Sequence, residues 1–300
     1  MEVLYLGELA AIITSVTYAL NSTLFTTAGK IVGSAVVNRI RLVAACLFLS
    51  LAQWIFLGSP WPVGADWNRW FWLGISGIVG LVLGDAFLFQ AFLWVGPRLS
   101  MLMMSLAPII AAFTAWIFLG ETLSSWQMVG ILVTIFGVGW VVMDKNQNPI
   151  EKKDNYVKGI LFGFGGAVGQ GLGVVLAKVG LEGDYSPISA NFIRMFIALI
   201  VIWLVTIYQK EFSLTLAKAR QNPRALLRII AGAFSGPFLG VSLSLYALQH
   251  TSIGVASTLM ALPPIFLIPV EYYYFKEPIG WRSILGTVVA LTGVGVLFLL

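Results

Sequence analysis

Charge is scarce in this chain. It has 18 Lys and Arg and 13 Asp and Glu among 300 residues, or 10%, against ~25% in soluble domains. That is too little to cover a globule in water, which excludes a large soluble domain. Cysteine is nearly absent: Cys46 alone permits no intrachain disulfide and no cysteine metal cluster. The single histidine, His250, argues against a histidine metal site. No cofactor, metal or catalytic residue is expected. The net charge of +5 is spread over segments between apolar runs, so nucleic acid is not expected as a partner. Met1-Glu2-Val3-Leu4 lacks the basic region of a cleavable signal, so the first span is expected to serve as its own targeting signal.

Apolar residues, by contrast, make up 59% of the chain. There are 21 uncharged residues between Glu8 and Lys30 and 24 between Arg41 and Asp66. Arg98 to Glu121 and Glu121 to Asp144 each enclose 22. A bilayer span needs about 20 such residues, and runs this long exceed barrel strands. The pattern predicts ten helices near 4–27, 32–57, 69–95, 98–119, 123–143, 157–180, 187–209, 225–249, 252–275 and 280–300. The fold class is therefore an all-α integral membrane protein whose partner is the lipid bilayer. Trp61, Trp67, Trp70 and Trp72 cluster as an interfacial aromatic belt would. The basic connection 210–224 has an amphipathic look.

The chain repeats itself. A shift of 156 aligns 83–139 with 239–295 without a gap, and thirteen of 57 pairs are identical. Pro108 meets Pro264, Glu121 meets Glu277, and Gly137-Val138-Gly139 meets Gly293-Val294-Gly295. A shift of 153 sets Asn38 and Arg41 on Asn191 and Arg194. The division is 4–143, a polar linker 144–156, and 157–300. Each half holds five helices. Five is odd, so the second copy enters the membrane inverted. Inverted repeats around a central cavity are an architecture of secondary transporters.

Certain residues carry a resemblance: Ala107-Pro108, then Leu119-Gly120-Glu121, Trp126, Gly130 and Gly137. Pro263-Pro264, Lys276-Glu277, Gly286 and Gly293 answer them in the second half. Each half resembles the five-helix EamA-type repeat of the drug/metabolite transporter superfamily. The resemblance covers nearly the whole chain. It implies a ten-helix basket around a cavity and transport of a small-molecule substrate, as in relatives that export amino acids and other metabolites.

Asp85 is the only acid near the middle of a predicted span. Such an acid costs roughly 2.5–3.5 kcal/mol on insertion scales, so it faces a cavity or a partner. It is the leading candidate for proton coupling, and its repeat mate is Val241. Tyr18, Asn21, Gln90, Gln170, Ser242, Ser244 and Tyr246 are the other pathway candidates. Met103, Met104 and Met260 would supply an adaptable apolar wall. Arg41 and Arg194 are a candidate charge gate, against the competing reading that they snorkel to headgroups or hold helix ends. Pro108, Pro263 and Pro264 are expected to break helices along the cavity. Glu121 and Glu277 read as structural, Glu271 as an acid near an interface, and His250 as a loop residue. The glycines match no phosphate loop; their four-residue spacings suit close helix packing.

The expected function is secondary transport of small metabolites such as amino acids, as an exporter, by alternating access, with protons as the candidate coupling ion. The alternatives are a passive facilitator or a subunit of a flippase for lipid-linked substrates. One histidine and one mid-span acid argue against a membrane-embedded enzyme. The oligomeric state is left open. The expected place is the cytoplasmic membrane of a prokaryotic cell.

Lysine and arginine set the orientation. Fifteen fall on the face that carries the connections after odd-numbered helices, and three (Arg69, Lys178 and Arg194) on the other. Both termini are therefore expected outside, against the usual family orientation. A C-terminal epitope tag should be reached by antibody on intact cells. A tag reached only after permeabilisation would reverse the assignment.

Overall fold

The computed structural model describes residues 5–120, 122–143, 153–181, 185–250, 253–276 and 280–299. Ten membrane helices lie among them. They are α1 (Leu6–Val32), α2 (Ser34–Leu57), α3 (67–95), α4 (97–119), α5 (Ser125–Met143), α6 (Lys153–Gly180), α7 (Pro187–Tyr208), α8 (223–250), α9 (253–275) and α10 (Trp281–Leu299). Linker residues 144–152, Glu121 and Glu277 lie outside the described residues.

Two boundaries differ from expectation. α1 continues to Val32, and a single residue, Gly33 at φ 93°, turns the chain into α2. Gly96 at φ 79° separates α3 from α4, within the connection expected at 96–97. Glycine tolerates that region of φ without penalty, so one residue reverses the chain where a loop was expected. α6 starts at Lys153 rather than 157, and the Tyr156 hydroxyl donates to the Val142 carbonyl at 2.8 Å, tying it to α5. The basic connection is in part a short helix, Phe212–Gln221. The buried Arg39 holds it to α2 by bonds to Thr215 (2.8 Å) and Glu211 (2.6 Å).

The two halves pair crosswise. α3 packs on α6 and α8 on α1, α2 packs on α7, and α5 packs on α10. This is the contact pattern of a two-fold axis in the membrane plane, as inverted repeats require. Small residues make it possible. A Cβ on Gly137 would strike the backbone of Ala290, and one on Gly293 that of Thr134. Gly130 meets Gly293 and Leu297, while its repeat mate Gly286 meets Gly137 and Val141. Lipid offers no hydrophobic drive between helices, so close backbone contact supplies the association. The outer surface carries exposed Leu47, Ile55, Phe56, Leu132, Leu161 and Leu204, which suit a lipid solvent.

Local helix geometry repeats too. α3 widens into a π-helical stretch at Ile78–Gly84, and α8 does so at Phe234–Gly240, 156 residues later. At the first, Gly80 and Gly84 lie against Gly173 and Gly169 of α6. At the second, Gly236 and Gly240 lie against Asn21 and against Thr17 and Tyr18 of α1.

Gly137→Val should lower the thermal midpoint in detergent, since overpacking a close contact costs about 1–3 kcal/mol. Gly139, with open space around its Cα, is the control, and Gly139→Val should leave the midpoint nearly unchanged. Equal midpoints for the two variants would show that the α5–α10 contact is not the tight one.

Candidate functional site

A polar cluster forms where α2, α3, α6 and α7 meet. Asp85 is the first residue after the π-helical stretch of α3 and is 4% exposed. Arg41 of α2, also 4% exposed, is ion-paired to its Oδ2 through Nη2. Gln170 Nε2 of α6 donates to Asp85 Oδ1 at 2.6 Å and to the Gly80 carbonyl at 3.2 Å. Asn38 Oδ1 accepts from Arg41 Nη2 at 3.0 Å and from its Nε at 3.3 Å. Asn38 Nδ2 donates to the Leu81 carbonyl at 3.3 Å. The widened turn of α3 explains these last contacts. A π-helical stretch disturbs the regular i to i−4 ladder, and carbonyls of Gly80 and Leu81 accept from side chains on two other helices. The guanidinium of Arg41 also sits 4.9 Å from the Phe89 ring centroid.

Arg194 joins from α7. Its Nη2 and the Gln170 Oε1 flank the same face of Gly80, and it interacts electrostatically with Asp85. Its Nε is buried without a hydrogen-bond partner, as is Nδ2 of Asn191, one turn earlier. Arg41 is ion-paired to Asp85, and the Arg194 guanidinium stands near by at Gly80. Arg41 turns inward to a partner and not outward to a headgroup. The two Asn-x-x-Arg segments occupy matching repeat positions, but Val241 stands where a second acid would be.

A cavity of about 390 Å³ lies between the repeats, and none of Asp85, Arg41, Asn38, Gln170 and Arg194 lines it. α4 lines it with Met101, Met104, Ser105 and Pro108, and α9 with Ser257, Met260, Ala261, Pro263 and Pro264. Tyr18, Val174, Val294 and Phe298 complete the wall. Gln170 of the cluster is one helical turn along α6 from Val174 of the lining. The prolines coincide with breaks in helical geometry. Met104–Leu106 is a 3₁₀ turn before Pro108, and α9 is interrupted at Ala261–Leu262 before Pro263. Proline removes a backbone donor, so such breaks suit a cavity wall.

The other expected residues divide. Tyr18 lines the cavity, and its hydroxyl is hydrogen-bonded with Ser244. Asn21 packs on Gly236. Gln90 lies outside the cavity lining and accepts from the Ser34 hydroxyl at 2.6 Å. Ser242 donates within its own helix to the Phe238 carbonyl at 2.6 Å. Tyr246 is exposed and stacks on His250, with centroids 3.9 Å apart. Met103 is packed against α5 and α10 rather than lining the cavity.

A second buried ion pair was missed. Arg98, 2% exposed at the start of α4, bonds Glu271 of α9, 3% exposed, from Nε to Oε2 at 2.6 Å. Glu271 lies one turn from the end of α9, and helix packing encloses it there. The available signal was that opposite charges at the start of α4 and the end of α9 fall on the same membrane face. Among the described residues no cluster of His, Cys, Asp and Glu has the makings of a metal site.

Two inverted five-helix repeats around a proline-broken central cavity are the architecture of a membrane transporter. The EamA-like transporter family matches residues 5–143 and 157–299, and the chain belongs to it. No curated protein matches the chain. A solved crystal structure, described only as that of a protein, covers 97% of this chain and 96% of its own. Its TM-score is 0.61 at 16% identity, a likeness of fold alone.

Removing one member of a buried pair costs about 3–5 kcal/mol, while replacing both with apolar groups is often neutral. Asp85→Leu alone should therefore unfold at lower temperature than Asp85→Leu combined with Arg41→Met. Thermal denaturation in detergent checks this, and equal destabilisation in the two would show that the charges are not coupled.

Proposed function

We propose that this transporter exports small metabolites such as amino acids by alternating access, with proton coupling at Asp85. The observation that carries the reading is the buried Asp85 carboxylate, ion-paired to Arg41 with a second guanidinium, Arg194, near by at Gly80. Protonation of Asp85 removes the negative charge that balances Arg41. An unbalanced buried charge is costly, and a substrate carboxylate arriving from the cavity restores the balance. Release of the proton then expels that carboxylate by competition for the same guanidinium groups. Substrate and proton so bind and leave together, and an outward gradient of substrate carries both outward.

The cavity supports the other half of the reading. Three methionines and three prolines give an adaptable apolar wall, with hydroxyls from Tyr18, Ser105 and Ser257. That lining suits an amino acid side chain. For orientation, Arg39, Arg41 and Arg98 are buried in ion pairs and drop out of the charge comparison. The remaining basic residues still favour the same face as cytoplasmic.

Counterflow in proteoliposomes tests the proposal. An internal unlabelled amino acid should accelerate entry of its labelled form. Asp85→Asn should keep exchange and lose uptake driven by a pH gradient. Uptake that neither saturates nor responds to internal substrate would favour the passive facilitator. Unchanged pH-driven flux in Asp85→Asn would remove Asp85 from coupling.

A further inference from the structure

The two repeats are alike in sequence, but the cavity between them is not symmetric. Met101, Met104, Ser105 and Pro108 of α4 have their mates in Ser257, Met260, Ala261 and Pro264 of α9, and all eight line it. Five other residues line it without their mates. Tyr18 and Pro263 lie near mid-span, while Val294 and Phe298 of α10 and Val174 of α6 lie in the half of the molecule nearer the face that carries the termini. The mates of the last three are Val138, Val142 and Ser22. Val138 and Val142 are packed into a cluster with Leu99, Leu102, Val141 and Ala290, and Ser22 is fully buried. The cavity therefore extends toward the termini face and is shut toward the opposite, basic face.

The closure on the basic face has an apolar and a charged layer. Phe25, Phe89 and Phe92 stack there, with ring centroids 5.2 and 5.6 Å apart, and Met101 and Met104 pack on them. Beyond Met101 by one turn is Arg98. Its backbone N–H donates to Glu271 Oε1 at 3.1 Å, its Nε to Oε2 at 2.6 Å, and its Nη1 to the Ser283 hydroxyl at 2.8 Å. The three residues join the starts of α4 and α10 to the end of α9. Lys30 adds a contact from the end of α1, 4.5 Å from the Phe275 ring centroid.

This network has no counterpart. The repeat positions of Arg98, Glu271 and Ser283 are Gly254, Ala115 and Gln127. No ion pair of this kind can form at the termini face from those residue types. α9 is also a helix suited to bending. It is interrupted before Pro263-Pro264, carries a third proline at Pro269, and enters a π-helical stretch at Glu271–Phe275. Glu271 thus sits on the far side of three prolines from the first turn of its helix.

We propose that Arg98, Glu271 and Ser283 form a one-sided gate, joined while the basic face is closed and parted when the cavity turns to that face. Energetics favour an ion pair in this role. A buried pair loses in desolvation about what it gains in attraction. When the gate parts, water enters and solvates both charges, so the open state is not left with a bare buried ion. The two states then lie close in energy, which a carrier needs to cycle. An apolar gate of the same area would favour closure at every step. The proposal rests on the alternating-access reading above.

The test uses side-specific labelling of the full chain, which needs no known substrate. Cys46→Ala removes the one native thiol, and Met104→Cys places a reporter on the cavity wall. A membrane-impermeant maleimide is applied from either side of sealed vesicles. With the gate intact, labelling should be faster from the termini face. Glu271→Gln should raise labelling from the basic face about tenfold or more and slow it from the termini face, as a population shift requires. Ser283→Ala removes one bond and should shift both rates the same way by less. It also decides the matter should Glu271→Gln fail to fold. Exchanging the charges, Arg98→Glu with Glu271→Arg, should restore the original preference. Rates that rise from both faces would indicate loosened structure and overturn the proposal. So would unchanged rates in folded Glu271→Gln and Ser283→Ala. A shift in labelling without counterflow of any solute would leave the gate standing and remove the metabolite reading; counterflow without the shift would do the reverse.

Discussion

The approach of backbone to backbone at Gly80, Gly84, Gly169 and Gly173 is the contact on which the rest depends. Only residues without a Cβ let α3 and α6 come this close, and in lipid such contact replaces the hydrophobic drive between helices. The closeness brings Gln170 within reach of both Gly80 and Asp85. It also sets Arg41 and Arg194 on either side of the same stretch of α3. The symmetric approach of α8 to α1 places Tyr18 against Gly240 and within reach of Ser244. One kind of packing thus positions both the charged cluster and the wall of the cavity.

The molecule keeps two buried ion pairs for different reasons. Arg41–Asp85 lies deep, with the Arg194 guanidinium near by at Gly80. Arg98–Glu271 lies near one face, is internally balanced, and is braced by Ser283. In the proposed cycle the first attracts an anion from outside the protein, and the second parts and is solvated by water. Neither earns its place by stability alone, since a buried pair is worth about as much as well-packed apolar groups of the same volume. Both occupy positions where the repeats differ: Val241 is the repeat mate of Asp85, and Gly254 that of Arg98. Departures from symmetry are where a two-fold scaffold acquires direction.

Much of this was legible in the sequence, and much was not. The ten helices follow from run length because lipid imposes a minimum span. The cavity prolines and Met104 and Met260 were readable because their spacing recurs in both halves. Gln90 looked like a pathway residue, but its bond to Ser34 at the turn into α2 is invisible without knowing that Gly33 alone makes that turn. Arg41 and Arg194 looked like headgroup anchors because hydropathy ranks depth along a helix and not direction around it.

By itself, then, the sequence determined the solvent, the number of spans, the inverted repeat and the helix breaks. Each is a property of length, periodicity or residue type that needs no partner. The tertiary structure decided which charges meet. Arg98 and Glu271 are 173 residues apart, and Gln170 lies 85 residues from Asp85. It also decided which face is closed. Two similar halves permit two arrangements related by the two-fold rotation, and hydropathy is the same in both. The choice between them rests on packing differences of a few side chains, such as Val138 buried against Leu99 while Val294 lines the cavity.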